Sequence, residues 1–174
     1  HDNGRMYGYE ITQKVKELSE QSRETVNVLR ETIWAVQENS HSLETFVLRT
    51  RNFLQRVLPH KNIEWELDVT GATNYKLTAN QSLQFFRIIQ EATQNIVKHS
   101  GAGKATYTFM ASPNLIQLTI SDNGKGFDTA IPLSSNGLKN IKQRMTELSG
   151  TCIISSSKNI GTNVIVSMPI NLTS

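Results

Sequence analysis

The most informative segment of this 174-residue sequence is Asp122-Asn123-Gly124-Lys125-Gly126-Phe127. An acidic residue stands at the predicted end of a strand, and two glycines separated by one residue follow it. A carboxylate in this position can accept a hydrogen bond from the exocyclic amine of an adenine. The glycines allow positive φ angles and let the backbone come close to a flat ring. The same pattern occurs in ordinary turns and calcium loops, so its meaning depends on the rest of the chain.

The composition is ordinary for a globular protein and argues against several classes of function. The chain is 37% hydrophobic and 19% charged, and its net charge is +3. Lys and Arg form no dense stripe, so nucleic-acid binding is not expected. The single cysteine, Cys152, excludes an internal disulfide and fits a reducing compartment. Since the sequence has no run of 18 apolar residues, we do not expect this chain to span a membrane.

The first sixty residues have the pattern of amphipathic helices. Apolar residues recur at spacings of three and four, with a polar break at Glu38–Ser42. The main positions of this seam are Ile11, Val15, Leu18, Val26, Leu29, Ile33, Val36, Leu43, Val47, Leu54 and Val57. Because a helical hairpin has only a thin core, we predict that residues 1–60 dimerise into a four-helix bundle. The alternative is that both helices pack on the C-terminal part of the same chain.

The sequence from Ile63 onwards alternates between strand and helix patterns. Strands are predicted at Ile63–Val69, Ala105–Met110, Leu115–Ile120, Cys152–Ser156 and Asn163–Met168. Helices are predicted at 79–99 and 137–149. This order predicts an α+β fold in which helices cover one face of a sheet. We place this second domain at 61–174 and expect a hinge at Pro59–Asn62, because proline restricts its own φ and the residue before it.

Three polar residues of the 79–99 helix have the chemistry of a phosphate and metal site. Glu91, Asn95 and Lys98 are spaced by three or four, so they are expected to share one helix face. An amide oxygen is a good neutral ligand for Mg²⁺, and a nearby carboxylate can hold one of the waters that the ion keeps. A lysine ammonium can meet a phosphate. The alternative is an ordinary solvated helix face.

Two further glycine motifs follow later in the chain. Gly137 directly precedes a predicted helix, whose free N–H groups and positive dipole end suit a phosphate. Gly161-Thr162-Asn163-Val164 lies at the entry of a predicted strand. Taken alone, the first could be a plain helix start and the second a hairpin turn.

In this order the four motifs resemble the ATP-binding domain of bacterial sensor histidine kinases. The resemblance covers about residues 60–170 and is to the subfamily that pairs with response regulators of the nitrate-regulator type. Residues 29–36 are similar to the second helix of its dimerisation and phosphoacceptor domain, as found in Bacteroidetes-type kinases. The resemblance implies an α/β sandwich of the histidine kinase, gyrase and chaperone type after the helical hairpin.

The resemblance also implies a role for each motif in binding ATP and Mg²⁺. Asp122 would bind the adenine amine, Gly124 and Gly126 would shape the adenine pocket, and Thr162 would line it. Asn95 would coordinate Mg²⁺, with Glu91 beside it as a catalytic residue that orients a metal-bound water. Three residues would face the phosphates, namely Lys98, Gly137 and Leu138. The polar segment Asp128–Asn136 would be the ATP lid.

The dipeptide His1-Asp2 matches the phosphoacceptor of this subfamily, in which the histidine attacks the γ-phosphorus and the carboxylate takes or orients the ring proton. Its surroundings depart from the pattern, because Gly4 follows Asn3 directly where an aliphatic residue is usual. A Gln or Asn suited to phosphatase activity is replaced by Met6. We expect that residues are missing here and that the chain is a fragment of a longer protein; a purification-tag remnant or a degenerate site are the alternatives.

The function that the resemblance implies is that of a two-component sensor histidine kinase. Such a protein binds Mg²⁺-ATP, phosphorylates His1 and passes the phosphate to an aspartate of a response regulator. We expect a homodimer that is cytoplasmic, or the cytoplasmic part of a membrane-bound sensor. One alternative is a nucleotide-binding interaction module without phosphotransfer, that is, a pseudokinase. Another is an ATP hydrolase of the chaperone, gyrase or mismatch-repair kind, with Glu91 as general base.

Overall fold

The structure is a computed structural model that describes residues 40–71, 75–129 and 136–170, together with positions 11–15, 18–19, 22, 26, 29 and 33. The chain divides into two compact units, His1–Asn39 and Ser40–Ser174. Within the described parts, every helix is too short or too polar to cross a membrane.

The first unit is helical at every position that is described, which confirms the predicted helix there. Its apolar seam is exposed within the single chain, at Ile11, Val15, Leu18, Val26, Leu29 and Ile33. These residues repeat at spacings of three, four and eight, as expected for one stripe of a helix. Exposed apolar residues grouped in this way mark a surface suited to packing against another element.

The second unit contains a sheet and the helices that cover it. Its strands are β1 Ser40–Ser42, β2 Glu64–Gly71, β3 Lys76–Thr78, β4 Lys104–Ser112, β5 Leu115–Asp122, β6 Thr151–Ser157 and β7 Gly161–Pro169. Its helices are α1 Leu43–Val57, α2 Ala79–Asn95 and α3 Asn136–Glu147. A 3₁₀ turn, Pro59–Lys61, follows α1, and a π-helical turn, Ile96–Ser100, continues α2.

The main sheet has the strand order β2-β4-β5-β7-β6, and β1 pairs with β3 in a separate two-stranded ribbon. The β2–β4 pair is parallel and the other pairs are antiparallel. Alternate residues of β4 and β5 are buried, as a sheet covered on one face requires. An aromatic cluster joins the layers, because the Phe109 ring lies 5.3 Å from Phe46 of α1 and 5.5 Å from Phe85 of α2. The predicted α+β fold is confirmed.

The position of α1 differs from the predicted helical hairpin. Ser42 caps α1 through Thr45, and Leu43, Phe46 and Leu54 are fully buried in the sheet unit. The boundary between the compact units therefore lies at Asn39/Ser40, ahead of the predicted position at residue 60. The apolar stripe of α1 is covered within its own chain, as the alternative of same-chain packing required. The four-helix bundle predicted for residues 1–60 is not confirmed.

The Pro59–Asn62 segment is also not at a boundary between units. Leu58 and Ile63 on its two sides are buried, and the Ile63 N–H donates to the Leu58 carbonyl at 3.3 Å. Asn62 closes the turn in a left-handed conformation. The predicted hinge at this segment is wrong as a joint between domains, because the turn packs inside the sheet unit.

Candidate nucleotide site

A row of polar side chains lies at one end of the inner face of the sheet. Asp122, the last residue of β5, is the register partner of Thr162 on β7, and Thr162 is the partner of Ser156 on β6. Side chains directly opposite one another in a sheet point to the same face. The next row along the same face, Ile154, Ile120 and Val164, is apolar. We call Asp122, Thr162 and Ser156 the polar row.

The Asp122 carboxylate is held by backbone donors on both sides. The Gly124 N–H donates to Oδ1 at 2.8 Å, and the Thr162 N–H also donates to the carboxylate. Burial raises the pKa of Asp122, and these two donors lower it in part. A half-buried carboxylate fixed in this way has lone pairs left for a donor on a ligand. The structure thus places Asp122 as an oriented acceptor.

The loop after Asp122 packs closely on the end of the α2 helix. The Lys125 N–H donates to the Ser100 carbonyl at 2.8 Å. A Cβ on Gly124 would lie 2.6 Å from the Ser100 Cβ, so only glycine fits without a shift. On the other side of the loop, the Asn123 amide oxygen accepts from the N–H groups of Gly103 and Lys104, at 3.0 and 2.9 Å. The loop is therefore fixed on two sides.

The second glycine of the loop is required by its backbone conformation. Gly126 has a φ of +57°, and a Cβ there would fall on the Ser157 carbonyl oxygen. The next residue, Phe127, donates its N–H to Ser156 Oγ at 2.9 Å. The Asn159 N–H donates to the Lys125 carbonyl at 2.7 Å. These contacts join the glycine loop to the β6–β7 turn.

The helix α2 brings two of the predicted site residues to the start of α3. A capping box between Thr78 and Gln81 begins α2, and its apolar face packs on the sheet. A Cβ on Gly137 would fall on Oε1 of Glu91 and would lie 3.4 Å from Nδ2 of Asn95. Glu91, Asn95 and Gly137 are thus neighbours, and Leu138, the next residue of α3, is buried.

Lys98 is not shown in contact with the other site residues, and His1, Asp2 and most of the predicted lid are outside the described residues. Lys98 is exposed in the π-helical turn, where the spacing differs from the α-helix that the prediction assumed. The lid prediction falls largely on residues 130–135, outside the described residues, as do His1 and Asp2.

The neighbourhood of Asn95 fits a hard cation. Its Nδ2 atom is buried and has no hydrogen-bond partner. The oxygen and nitrogen of such an amide exchange places by a rotation, which would present Oδ1 beside Glu91. The described residues contain no group of three His, Cys, Asp or Glu side chains that could hold a metal. An ion here would therefore depend on the amide, one carboxylate, water and a ligand, as Mg²⁺ commonly does.

Ser156 is the site residue that the sequence analysis did not identify. It lies within the run Ser155-Ser156-Ser157, and nothing in that run distinguishes one serine from the next. Its inward direction follows only from the pairing of Ser156 with Thr162. The register of β6 against β7 was needed to find it.

A sheet covered by helices on one face, with an oriented carboxylate and a glycine loop at its end, is the architecture of an ATP-binding α/β sandwich domain. The sequence profile of the histidine kinase-, DNA gyrase B- and HSP90-like ATPases matches residues 80–172. The chain belongs to this family.

The chain is similar to several sensor kinases. It is 34% identical over 110 residues to the sensor histidine kinase LiaS of Bacillus subtilis, covering 63% of this chain and 29% of LiaS. It is 35% identical over 119 residues to the sensor protein VraS of Staphylococcus haemolyticus, covering 68% of this chain and 32% of VraS. The chain thus spans about a third of the length of these curated relatives. The histidine kinase AdeS of Acinetobacter baumannii has the same fold, with a TM-score of 0.67, 18% identity and coverage of 91% of this chain and 83% of AdeS.

Proposed function

We propose that this chain is the kinase core of a two-component sensor histidine kinase of the nitrate-regulator-type subfamily. It would bind ATP with Mg²⁺, phosphorylate a histidine and pass the phosphate to an aspartate of a response regulator. The observation that carries the proposal is the Asp122 carboxylate, which two backbone N–H groups orient at the glycine-lined end of the sheet. Family membership and the names of the relatives support it.

The adenine would lie on the polar row. Asp122 would accept a hydrogen bond from the exocyclic amine, because its free lone pairs are half-buried and need a donor. Gly124 and Gly126 would shape the pocket, because their close packing on Ser100 and Ser157 holds the loop beside Asp122. Thr162 is the register partner of Asp122 and would line the same pocket.

The phosphates would lie toward Glu91, Asn95 and Gly137. Asn95 and Glu91 would hold Mg²⁺, which neutralises charge on the phosphates when it is bound. The exposed Lys98 ammonium would contribute a positive charge, and the start of α3 at Gly137 and Leu138 would present N–H groups. This assignment is supported by the contact of Gly137 with the Glu91 carboxylate.

The phosphoryl acceptor would be His1, assisted by Asp2. A ring nitrogen of His1 would form the N–P bond while the bond between the γ-phosphorus and the ADP oxygen breaks. Asp2 would accept the ring proton. The phosphoryl group would then pass to a response-regulator aspartate.

A second copy of the chain would cover the exposed seam of the first unit. Six large apolar residues among the described positions of this unit are exposed, from 43% for Val26 to 64% for Leu18. Burying such a stripe against an identical helix is the usual way to form a dimeric bundle. We therefore propose a homodimer with cytoplasmic kinase units. Any membrane attachment would come from parts of the parent protein outside this chain.

The test is label transfer from γ-³²P-ATP with Mg²⁺ to the chain, beside the variants Asp122→Asn and His1→Gln. Asp68→Asn is the matched control, because Asp68 is exposed on the edge strand β2. The proposal predicts acid-labile, alkali-stable label on the wild type and on Asp68→Asn only. Phosphate release without labelled protein would indicate an ATP hydrolase instead. Nucleotide binding with neither product would indicate an interaction module.

A further inference from the structure

We propose that Ser156 fixes the direction of the Thr162 hydroxyl and thereby makes the adenine pocket select purines with a 6-amino group over those with a 6-oxo group. The inference rests on the proposed binding of ATP at Asp122 and assigns a positioning residue for base selectivity.

The Ser156 hydroxyl has three neighbours in the structure. Its Oγ lies 2.9 Å from the Phe127 nitrogen, 2.8 Å from the Gly161 carbonyl oxygen and 3.1 Å from Thr162 Oγ1. A serine hydroxyl has one proton to donate and two lone pairs to accept. The Phe127 N–H can only donate, so it takes one lone pair. The Gly161 carbonyl can only accept, so it takes the proton.

One lone pair of Ser156 remains, and Thr162 is the neighbour left to use it. The Thr162 hydroxyl therefore donates to Ser156, and its proton points away from the pocket. What Thr162 then presents to a ligand is lone pairs alone. Its register partner Asp122 is also an acceptor when ionised, so both members of the polar row that face the ligand accept hydrogen bonds.

A pocket in which both Asp122 and Thr162 only accept hydrogen bonds distinguishes purines by the group at their 6-position. The amine of adenine has two N–H groups, which suit Asp122 and Thr162 directly or through a bridging water. Hypoxanthine has an N1–H group that can donate a hydrogen bond to Asp122. Its 6-oxygen, however, would face the lone pairs of Thr162. A site whose polar groups match one pattern of donors discriminates strongly against a ligand with the reverse pattern. Ser156 keeps Thr162 mismatched to a 6-oxygen, because it accepts the hydrogen bond that the Thr162 hydroxyl donates.

The test compares the affinities of the wild type and of Ser156→Ala for ADP and for inosine diphosphate, measured by calorimetry with Mg²⁺. In Ser156→Ala the Thr162 hydroxyl is released and can turn its proton to the 6-oxygen. We expect ADP to bind about 3- to 10-fold more weakly, because the released Thr162 hydroxyl is no longer held as an acceptor for the amine, an effect of about one hydrogen bond. The preference for ADP over inosine diphosphate should fall by about 10-fold or more. Ser155→Ala, an exposed residue on the opposite face of the same strand, should leave both affinities unchanged.

A second variant keeps the inference testable if Ser156→Ala folds poorly, since it leaves the Phe127 N–H without an acceptor. Thr162→Val removes the hydroxyl and leaves Ser156 in place. We expect it to weaken ADP binding and to leave inosine diphosphate binding no weaker, because the wild-type hydroxyl offers that ligand no proton. Weaker binding of inosine diphosphate to Thr162→Val would overturn the inference, as would an unchanged preference in folded Ser156→Ala. Failure of the wild type to bind either nucleotide would overturn the proposed function itself.

Discussion

Gly137 lies against Glu91, so closely that a single methyl group on Gly137 would fall on the carboxylate oxygen Oε1. This contact joins the first turn of α3 to the helix that carries Asn95. A displacement of the start of α3 would therefore change the position of Glu91 at the proposed metal site. A Cβ at this position would displace the end of the Glu91 side chain, and Gly137 does not have a positive φ angle.

The first prediction follows from this contact. Gly137→Ala should displace Glu91 or the start of α3 and lower the rate of autophosphorylation by about 10²-fold, since a misplacement of about 1 Å at a reacting centre has that effect. ADP affinity should change much less, because Asp122 is untouched. Gly103→Ala is the control, since a Cβ there meets nothing within 4 Å. Equal autophosphorylation rates in the two variants would show that the contact is unimportant.

The second prediction concerns the pH dependence of nucleotide binding. Burial raises the pKa of Asp122 in the folded chain, so its proton returns at a higher pH than for an exposed aspartate. ADP affinity should fall as the pH is lowered, and the fall should begin above the range in which exposed aspartates titrate. Titration calorimetry between pH 8 and about pH 4 measures this. An ADP affinity that does not change with pH in that range would show that the ionised Asp122 carboxylate is not needed for binding.

The same pKa shift makes a third prediction, on stability. A carboxyl whose pKa is raised by folding destabilises the folded state above that pKa, and the penalty is relieved as the pH falls through the folded value toward the unfolded one. Asp122→Asn removes the penalty. At pH 7 the urea midpoint of the variant should therefore be no lower than that of the wild type. Any difference between the two midpoints should become smaller as the pH is lowered. A large loss of stability at pH 7 would show that the carboxylate stabilises the fold.

The fourth prediction tests where α1 belongs. Phe46 is fully buried and packs on Phe109 of the sheet and on Phe86 of α2. Phe46→Ala should lower the free energy of unfolding of the sheet unit by about 3–5 kcal/mol. Leu48→Ala, at a position that is 59% exposed on the same helix, should change it by about 0.5 kcal/mol or less. If Phe46→Ala left the urea midpoint unchanged, α1 would not be part of this unit.

Sequence patterns predicted the sheet and much of the site because both depend on local signals. The alternation in Ala105–Met110 lies inside β4, and the glycines of the Asp122 loop are explained by close contacts or positive φ angles. The partner of α1 was not predictable, because an apolar stripe shows that a helix is buried but not what covers it. Ser156 was missed for a similar reason: its role comes from strand register, which joins residues distant in sequence.

The π-helical turn Ile96–Ser100 is a second feature that the sequence does not predict. The prediction placed Glu91, Asn95 and Lys98 on one face by α-helical spacing, and the structure retains that geometry only as far as Asn95. The turn ends at Gly101 in a left-handed conformation and brings Ser100 under the glycine loop. No residue type in this stretch indicates a π turn. Its first and last residues, Ile96 and Ser100, are both buried.

The most direct test of the account is the affinity of ADP with Mg²⁺ for the wild type, Asp122→Asn and Asp68→Asn, measured by titration calorimetry at one pH. The account predicts that the wild type and Asp68→Asn bind alike. Binding to Asp122→Asn should be weaker by about 10- to 100-fold, the usual worth of a hydrogen bond to a charged group. Equal affinities for the wild type and Asp122→Asn would contradict the placement of the adenine at the end of β5.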